Sequence, residues 1–281
     1  MTASYRVDFS DDPASTLRQV GAFLEASPVH HNVIHTLLRG RAGDAEPGRY
    51  WTVVDGAEVV GVVFQSPLDH KANLTPMPPK ATQAAADAIA EQGVTLPEVE
   101  GEAATAAAFA GRWTEVRHTG AAPVLGMRLH QLDTPTVPDG VPGRLRTAEL
   151  NDTELIQRWA IAFTEDVDEP APNMEMVANR VSGGQMALWE TAGGPVCMSG
   201  LTPPAAGVVR VGPVYTPREH RRHGYAAACV GAQSKAATDD GLTCILYTDL
   251  LNATSNSVYR SLGYRVIAEI TRYAFDDSRS S

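Results

Sequence analysis

The chain has 281 residues, of which 43% are hydrophobic and 20% are charged, and its formal net charge is −10. This composition is that of a globular protein, and no apolar run approaches the roughly 20 residues of a membrane span. The acidic balance argues against general nucleic-acid binding, which needs a basic face to neutralise phosphates. The N-terminus has no basic and apolar leader, so we expect a cytoplasmic protein.

The first half of the chain predicts a mixture of strands and helices. A strand at Tyr5–Phe9 precedes an amphipathic helix at Ala14–Glu25. A hairpin turns at Asp55-Gly56, a pair that tolerates the positive φ of tight turns. The remaining predictions are a helix at 29–38, hairpin strands at 50–54 and 59–64, a strand at 73–77, helices at 80–92 and 103–109, and a strand at 124–131.

A stretch rich in proline and glycine interrupts this pattern. Thr134–Gly143 holds three prolines and two glycines in ten residues, which excludes regular structure. We therefore predict a domain at 1–134, a linker at 135–143 and a second domain at 144–281.

The same order of elements begins again after the linker. A strand at Arg144–Ala148 precedes a helix for which Asn151 is the expected cap, with Glu154 completing a capping box. A helix at 174–181 and a hairpin at 186–190 and 196–201, turning at Gly193-Gly194, follow. The repeated order predicts an α+β fold made of two similar units, each with a mixed sheet.

The turn at Arg221–Ala226 carries the chemistry. It joins an apolar strand that begins at Val208 to an Ala-rich helix, so its backbone N–H groups and the helix dipole are expected to converge on an anion. Gly224 permits close approach of a ligand, and the arginines add positive charge. The equivalent segment of the first half, Leu74–Pro79, has prolines in place of glycine and arginine.

The spacing Arg221-x-x-Gly224-x-Ala226 resembles the R/Q-x-x-G-x-G/A signature of the GCN5-related N-acetyltransferases, the GNAT superfamily. A second segment, Asn252–Tyr264, is similar to the family's N-x-x-(A/S)-x-x-x-Y-x-x-x-G-(F/Y) pattern. The resemblance is residue-specific over 208–264, whereas the first half resembles the fold alone. It implies two tandem GNAT-like acyl-CoA N-acyltransferase units, of which the N-terminal one is degenerate and lacks the cofactor loop.

The resemblance also implies an enzyme that transfers acetyl directly from acetyl-CoA, its co-substrate, to a primary amine of a small molecule or protein. It implies that strand residues Val214–Thr216 bind the pantetheine arm and that the turn binds the pyrophosphate. The alternative for Arg221 and Arg222 is that they only form a solvated basic turn. Asn252, Ser255 and Asn256 either bind the pantetheine amides or cap a helix. The full set of predicted cofactor-binding residues is Val214, Tyr215, Thr216, Arg221, Arg222, His223, Gly224, Tyr225, Ala226, Asn252, Ser255 and Asn256.

Tyr259 is the predicted general acid, because the family places a phenol beside the cofactor sulfur; simple core packing is the alternative. The acidic run of Glu165, Asp166, Asp168 and Glu169 is predicted to attract the cationic acceptor, unless it forms only a solvated loop. The general base stays unassigned among this acidic run, Asp249, Glu190 and a base that acts through water.

Two other classes of function remain open: an acyl-CoA-binding regulatory module with little turnover, and an aminoacyl-transferring relative. The oligomeric state is also open. Cys197, Cys229 and Cys244 have the spacing of neither a metal site nor a redox pair, so we predict reduced core residues and no metal.

Overall fold

The computed structural model describes residues 5–167 and 171–276. These fall into two compact units. Unit 1 comprises the described residues of Met1–Leu129, Tyr247–Leu251 and Val266–Ser281, and unit 2 those of His130–Leu246 and Asn252–Arg265. No helix in the described ranges has the length and apolar character needed to cross a membrane.

Unit 1 follows the predicted order of elements. Its strands and helices are β1 (Tyr5–Ser10), α1 (Pro13–Ala26), α2 (Asn32–Arg41), β2 (Arg49–Asp55), β3 (Glu58–Gln65), β4 (Ala72–Leu74), α3 (Pro79–Glu91), β5 (Glu98–Glu102), α4 (Ala103–Arg117) and β6 (Ala121–Leu132), whose last residues belong to unit 2. The predicted strand at 73–77 was too long, and the predicted helix at 103–109 was too short. β4 stops at Leu74 because the prolines after it cannot donate to a ladder, and α4 continues past Phe109 to Arg117.

The first four strands in the sheet of unit 1 are antiparallel neighbours. β1 pairs with β2, β2 with β3 and β3 with β4, and then β4 runs parallel to β5 with Ala72 opposite Val99. The last strand of the chain, β12 (Tyr264–Phe275), continues this sheet, since Ile270–Ala274 lie antiparallel to Glu98–Glu102, and β6 follows β12 in the strand order. Neither β5 nor β12 was predicted from the sequence.

The core of unit 1 lies on the two faces of this sheet. Trp51, Phe109 and Trp113 are buried with the alanines of α3 in one cluster. Leu24, Leu38 and the rings of Tyr50 and Phe64 form a second cluster with helices α1 and α2.

Helix α1 begins with a complete N-cap, which gives a first testable prediction. Asp12 Oδ1 accepts hydrogen bonds from the N–H groups of Ala14 at 2.9 Å and Ser15 at 3.1 Å. Replacing Asp12 with alanine leaves these donors without their acceptor, so we expect a loss of about 1 kcal/mol in the free energy of unfolding. Urea denaturation measures this loss. The neighbouring Asp11→Ala removes the same charge without a cap, and an equal loss there would contradict the assignment.

Unit 2 repeats the order of elements. It contains β7 (Arg144–Thr147), α5 (Thr153–Asp166), α6 (Met174–Ser182), β8 (Met186–Thr191), β9 (Gly194–Leu201), β10 (Val208–Tyr215), α7 (Tyr225–Asp239), α8 (Ala253–Ser261) and the first part of β11 (Thr243–Asp249). β7, β8, β9 and β10 pair antiparallel in that order, and β10 pairs parallel with β11. The predicted α+β class with mixed sheets is confirmed.

The expected cap of α5 was wrong. A short 3₁₀ turn at Leu150–Asp152 precedes the helix, and the capping box joins Glu149 and Asp152, with Asp152 Oδ2 accepting the Glu149 N–H at 2.8 Å. Asn151 lies inside this turn. Asp152 also pairs with Arg146 at 2.6 Å, and this ion pair lowers the pKa of the Asp152 carboxyl.

The proline-rich segment has no regular structure, as predicted, but it packs on unit 2. The N–H groups of Asp133 and Thr136 donate to the carbonyls of Gly263 and Leu262 at 3.1 and 3.0 Å. A domain boundary at 135–143 stays a prediction. The compact units differ from contiguous halves, because residues of β12 after Arg265 pair with β5 in unit 1.

Candidate cofactor-binding site

Strand β10 diverges from its parallel neighbour partway along its length. The pairing with β11 covers Val208 to Arg210, opposite Thr243 to Ile245. On the other edge β10 remains paired with β9, but its register shifts between Val211 and Val214. The second half of β10 therefore offers a strand edge to which an extended ligand with amide groups can add hydrogen bonds.

Arg180 of helix α6 supports this divergence. Its Nη2 donates to the carbonyls of Leu201 at 2.9 Å and Gly212 at 2.6 Å, beside the register shift. Burial, helped by the charge of Arg210, lowers the pKa of the Arg180 guanidinium to about 10, so the group stays cationic at neutral pH. The sequence contained no signal for this contact.

The turn after β10 presents a row of backbone donors. A 3₁₀ turn at Arg218–His220 leads into Arg222 at φ 65° and Gly224 at φ 80°, and α7 begins at Tyr225. No N–H group of Arg222–Ala227 donates a hydrogen bond to another described residue; the first bond of the helix runs from Ala228 N–H to Gly224 O at 3.0 Å. Free donors at a helix N-terminus, with the dipole behind them, form an anion site.

Two arginines of the turn are held by one carboxylate. Arg218 and Arg221 both pair with Asp166 at the end of α5, and Arg221 Nε also donates to Thr216 O at 3.0 Å. The guanidinium of Arg221 lies 5.8 Å from the centre of the Tyr215 ring. Hydrogen bonds from Arg221 and Arg218 lower the pKa of the Asp166 carboxyl, so these contacts persist at neutral pH.

Arg222 has no polar partner among the described residues and is exposed. It is the arginine of the turn whose charge is free for a ligand. Beside it, His223 Nδ1 lies 3.2 Å from His220 O, and its ring stacks on Tyr225 at 5.5 Å. Ala226 is half-buried on the first turn of α7.

The predicted acidic acceptor run is divided by the structure. Asp166 pairs with Arg218 of the loop after β10, whereas Glu165 is exposed at the C-terminal end of α5. Asp168 and Glu169 lie outside the described residues. The role of Glu165, Asp168 and Glu169 in acceptor binding stays a prediction.

Helix α8 carries Tyr259 and begins with an asparagine cap. Asn252 Oδ1 accepts the Ser255 N–H at 2.9 Å, and the side-chain amide of Asn256 donates to Asn252 O at 2.8 Å. These contacts show that Asn252, Ser255 and Asn256 take part in capping. Their contact with a cofactor stays a prediction.

Tyr259 is half-buried against the core of unit 2. Its ring meets Tyr264 edge-on at 6.0 Å, and it packs beside the cluster that contains Val211 and Val230. Burial raises the pKa of the Tyr259 phenol to about 12, and the nearby Cys197 and Cys229 act in the same direction. The phenol therefore stays protonated throughout the neutral range and can donate a proton or hydrogen bond.

The candidate bases Glu190 and Asp249 both interact with other groups of the protein. Glu190 lies 3.1 Å from the Arg146 guanidinium, and Asp249 accepts the Leu251 N–H at 2.7 Å within unit 1. The three cysteines are free and buried, as predicted. Within the described ranges, no three His, Cys, Asp or Glu side chains are grouped so that they could hold a metal ion.

Comparisons with known proteins concern the fold of the chain. Residues 204–273 match the family model described as FR47-like protein. A GNAT-family acetyltransferase from Colwellia psychrerythraea superposes with a TM-score of 0.63 at 11% identity, covering 96% of this chain and 100% of that one. A GCN5-related N-acetyltransferase from Sphaerobacter thermophilus gives a TM-score of 0.59 at 18% identity, with 96% and 94% covered.

A tandem GNAT protein from the clavulanic acid biosynthesis pathway gives a TM-score of 0.56 at 14% identity, with 98% of this chain and 100% of that one covered. No curated protein matches the sequence. The chain therefore has the fold of GNAT acetyltransferases, and the fold that the sequence resemblance implied is confirmed. The loss of a cofactor loop from the N-terminal unit stays a prediction.

Proposed function

We propose that unit 2 binds acetyl-CoA and catalyses transfer of its acetyl group to a primary amine. The observation that carries this proposal is the row of free N–H donors at Arg222–Ala227, placed between a diverging strand and the start of α7. A pyrophosphate is an anion that free N–H donors at a helix N-terminus can bind. The exposed edge of β10 suits the pantetheine arm, whose amides can pair with a strand.

In this proposal, separate residues bind the cofactor and donate the proton. The turn and Arg222 bind the pyrophosphate, while Asp166 positions Arg221 against Tyr215. The amine nitrogen attacks the thioester carbonyl, the carbon–sulfur bond breaks, and the electron pair goes to sulfur. Tyr259 donates a hydrogen bond and then its proton to this thiolate, and it regains a proton from solvent. The amine loses its proton to a base that we leave unassigned.

We expect a single cofactor site for each chain. The segment after β4 in unit 1 contains Pro76, Pro78 and Pro79, which have no N–H groups, and Pro78 stands in the cap position of α3. It thus lacks the donors that make the turn of unit 2 an anion site. We place this activity in the cytoplasm, where buried free cysteines such as Cys229 stay reduced.

The test is a measurement of CoA release with a panel of primary amines, combined with a calorimetric titration of acetyl-CoA. We expect one molecule bound per chain, and CoA released in step with acetylated amine. Tight binding with no turnover on any amine would favour a regulatory module. Failure to bind CoA together with binding of charged tRNA would favour an aminoacyl-transferring protein. Two bound molecules per chain would contradict the single site.

A further inference from the structure

The structure brings two of the three cysteines together, although their spacing in the sequence gives no sign of a pair. Cys197 lies on β9 and Cys229 on α7, both within unit 2. Their thiols are in hydrogen-bond contact with each other. The third cysteine makes a different contact, since Cys244 Sγ donates to Ser234 O at 3.7 Å. The proposed acetyl transfer uses none of these sulfurs.

The cysteine pair lies in the packing between β9 and α7. Both side chains are 0% exposed. The cluster that contains them also includes Tyr225 and Ala226 at the start of α7 and Val214 of β10. The pair therefore shares its packing with the residues that begin the proposed anion site.

The contact makes the two thiols unequal. The hydrogen bond from Cys229 lowers the pKa of the Cys197 thiol, whereas the same bond and burial raise the pKa of the Cys229 thiol. Cys197 is thus the sulfur that ionises first, and the thiolate is the reactive form of cysteine. A thiolate beside a second thiol is the arrangement that closes a disulfide after oxidation.

We propose that Cys197 and Cys229 form a reversible disulfide when the protein meets a peroxide. The Cys197 thiolate attacks one oxygen of hydrogen peroxide, the O–O bond breaks, and hydroxide leaves and takes up the proton that Cys197 released. The resulting sulfenic acid is attacked by the Cys229 sulfur, the S–O bond breaks, and the Cys229 proton leaves with the hydroxyl group as water. Two thiols and one hydrogen peroxide thus give one disulfide and two waters. In a reducing compartment such disulfides are transient and report the redox state.

The first turn of α7 supplies the route by which a small oxidant reaches the pair. Cys229 lies about one helical turn after Tyr225, where the helix begins. The N–H groups of Arg222–Ala227 donate to no other described residue, so few hydrogen bonds break when this turn opens. Local opening of this kind exposes buried groups without unfolding the rest of the unit.

The disulfide is expected to disturb the turn before α7. A covalent bond holds two sulfurs closer than a hydrogen bond does, so it draws the start of α7 toward β9. Tyr225 and Ala226 move with the helix, because they pack in the same cluster. Oxidation should therefore weaken acetyl-CoA binding. This consequence, unlike the disulfide itself, rests on the proposed function of unit 2.

Peptide mapping by mass spectrometry, under non-reducing conditions and after treatment of the full chain with hydrogen peroxide, tests the disulfide. We expect one linked pair of peptides that hold Cys197 and Cys229, and recovery of both free thiols with dithiothreitol. The proposal is overturned if both thiols stay reduced, if they carry sulfinic or sulfonic acid without a link, or if the link involves Cys244. This measurement needs no variant, so it decides the question even where a cysteine substitution folds poorly.

Calorimetry with acetyl-CoA on reduced and oxidised protein tests the effect on the turn. We expect binding about tenfold weaker or more after oxidation, restored by dithiothreitol. Cys229→Ser cannot close the bond and should keep its affinity after peroxide treatment, whereas the matched control Cys244→Ser should lose affinity as the wild type does. Equal loss in Cys229→Ser, or a linked pair with unchanged affinity, would refute the effect. If the reduced protein failed to bind acetyl-CoA, the proposed function would fail, and the peptide map would still decide the disulfide.

Discussion

Replacing Gly224 with glutamate is expected to weaken acetyl-CoA binding by about 100-fold or more, which corresponds to about 2.7 kcal/mol. Gly224 has φ 80°, and a Cβ built on it lies 3.3 Å from Val141 Cγ2. A side chain therefore strains the turn by about 1–2 kcal/mol. The new carboxylate also stands among the free N–H groups of Arg222–Ala227, where it competes with the pyrophosphate and repels it.

The control for this variant is Gly241→Glu. Gly241 also has φ 80°, and a Cβ there meets no atom within 4 Å. It follows the C-terminal end of α7, about 22 Å along a helix of this length from Gly224. Both variants should lower thermal stability through the same left-handed strain, but only Gly224→Glu should lose acetyl-CoA in a calorimetric titration. Equal binding by the two would show that the turn is not the anion site.

The sequence predicted the order of the elements around the proposed site. The strand, the turn at Arg221–Ala226 and the helix after it are consecutive in the chain, so periodicity and glycine placement were enough to find them. The helix that carries Tyr259, α8, was also predicted, while the catalytic role of this residue stays a prediction. The left-handed conformation of Arg222 and Gly224 was not predicted from the sequence.

The contacts between distant residues could not be predicted in this way. Asp166 pairs with Arg221, which is 55 residues away, and the sequence analysis had grouped this aspartate with an acceptor loop. Arg180 reaches Gly212 across 32 residues, and no repeat or spacing marks that contact. Hydrophobic periodicity reports which face of one element is buried, but it does not say which element covers that face.

The C-terminal strand shows the same limit at the scale of the fold. A duplicated order of elements led us to expect two contiguous domains. In the structure, Ile270–Ala274 of β12 pair with Glu98–Glu102 of β5, so the end of the chain forms part of the sheet of unit 1. Strand partners are chosen by the free edge that is available, and local sequence contains little information about that choice.

Replacing Tyr259 with phenylalanine is expected to lower kcat by about 100-fold. The affinity for acetyl-CoA should stay unchanged. The phenylalanine ring preserves the packing against Tyr264, whose ring centre lies 6.0 Å away. Only the proton donor is lost. Steady-state kinetics with a saturating amine separate this effect on kcat from any effect on KM.

The pKa of Tyr259 makes this prediction sharper. Because burial raises the pKa of the Tyr259 phenol to about 12, the phenol is protonated at every pH between 6 and 10. Its ionisation therefore does not change the rate with pH in that range. Tyr259→Phe should therefore lower kcat by a similar factor at each pH while the shape of the profile, set by the amine and its base, stays the same. Tyr273→Phe in unit 1 supplies the matched control and should retain full activity. If Tyr259→Phe raised KM for acetyl-CoA but left kcat intact, the tyrosine would serve packing, and the thiolate would have to take its proton from elsewhere.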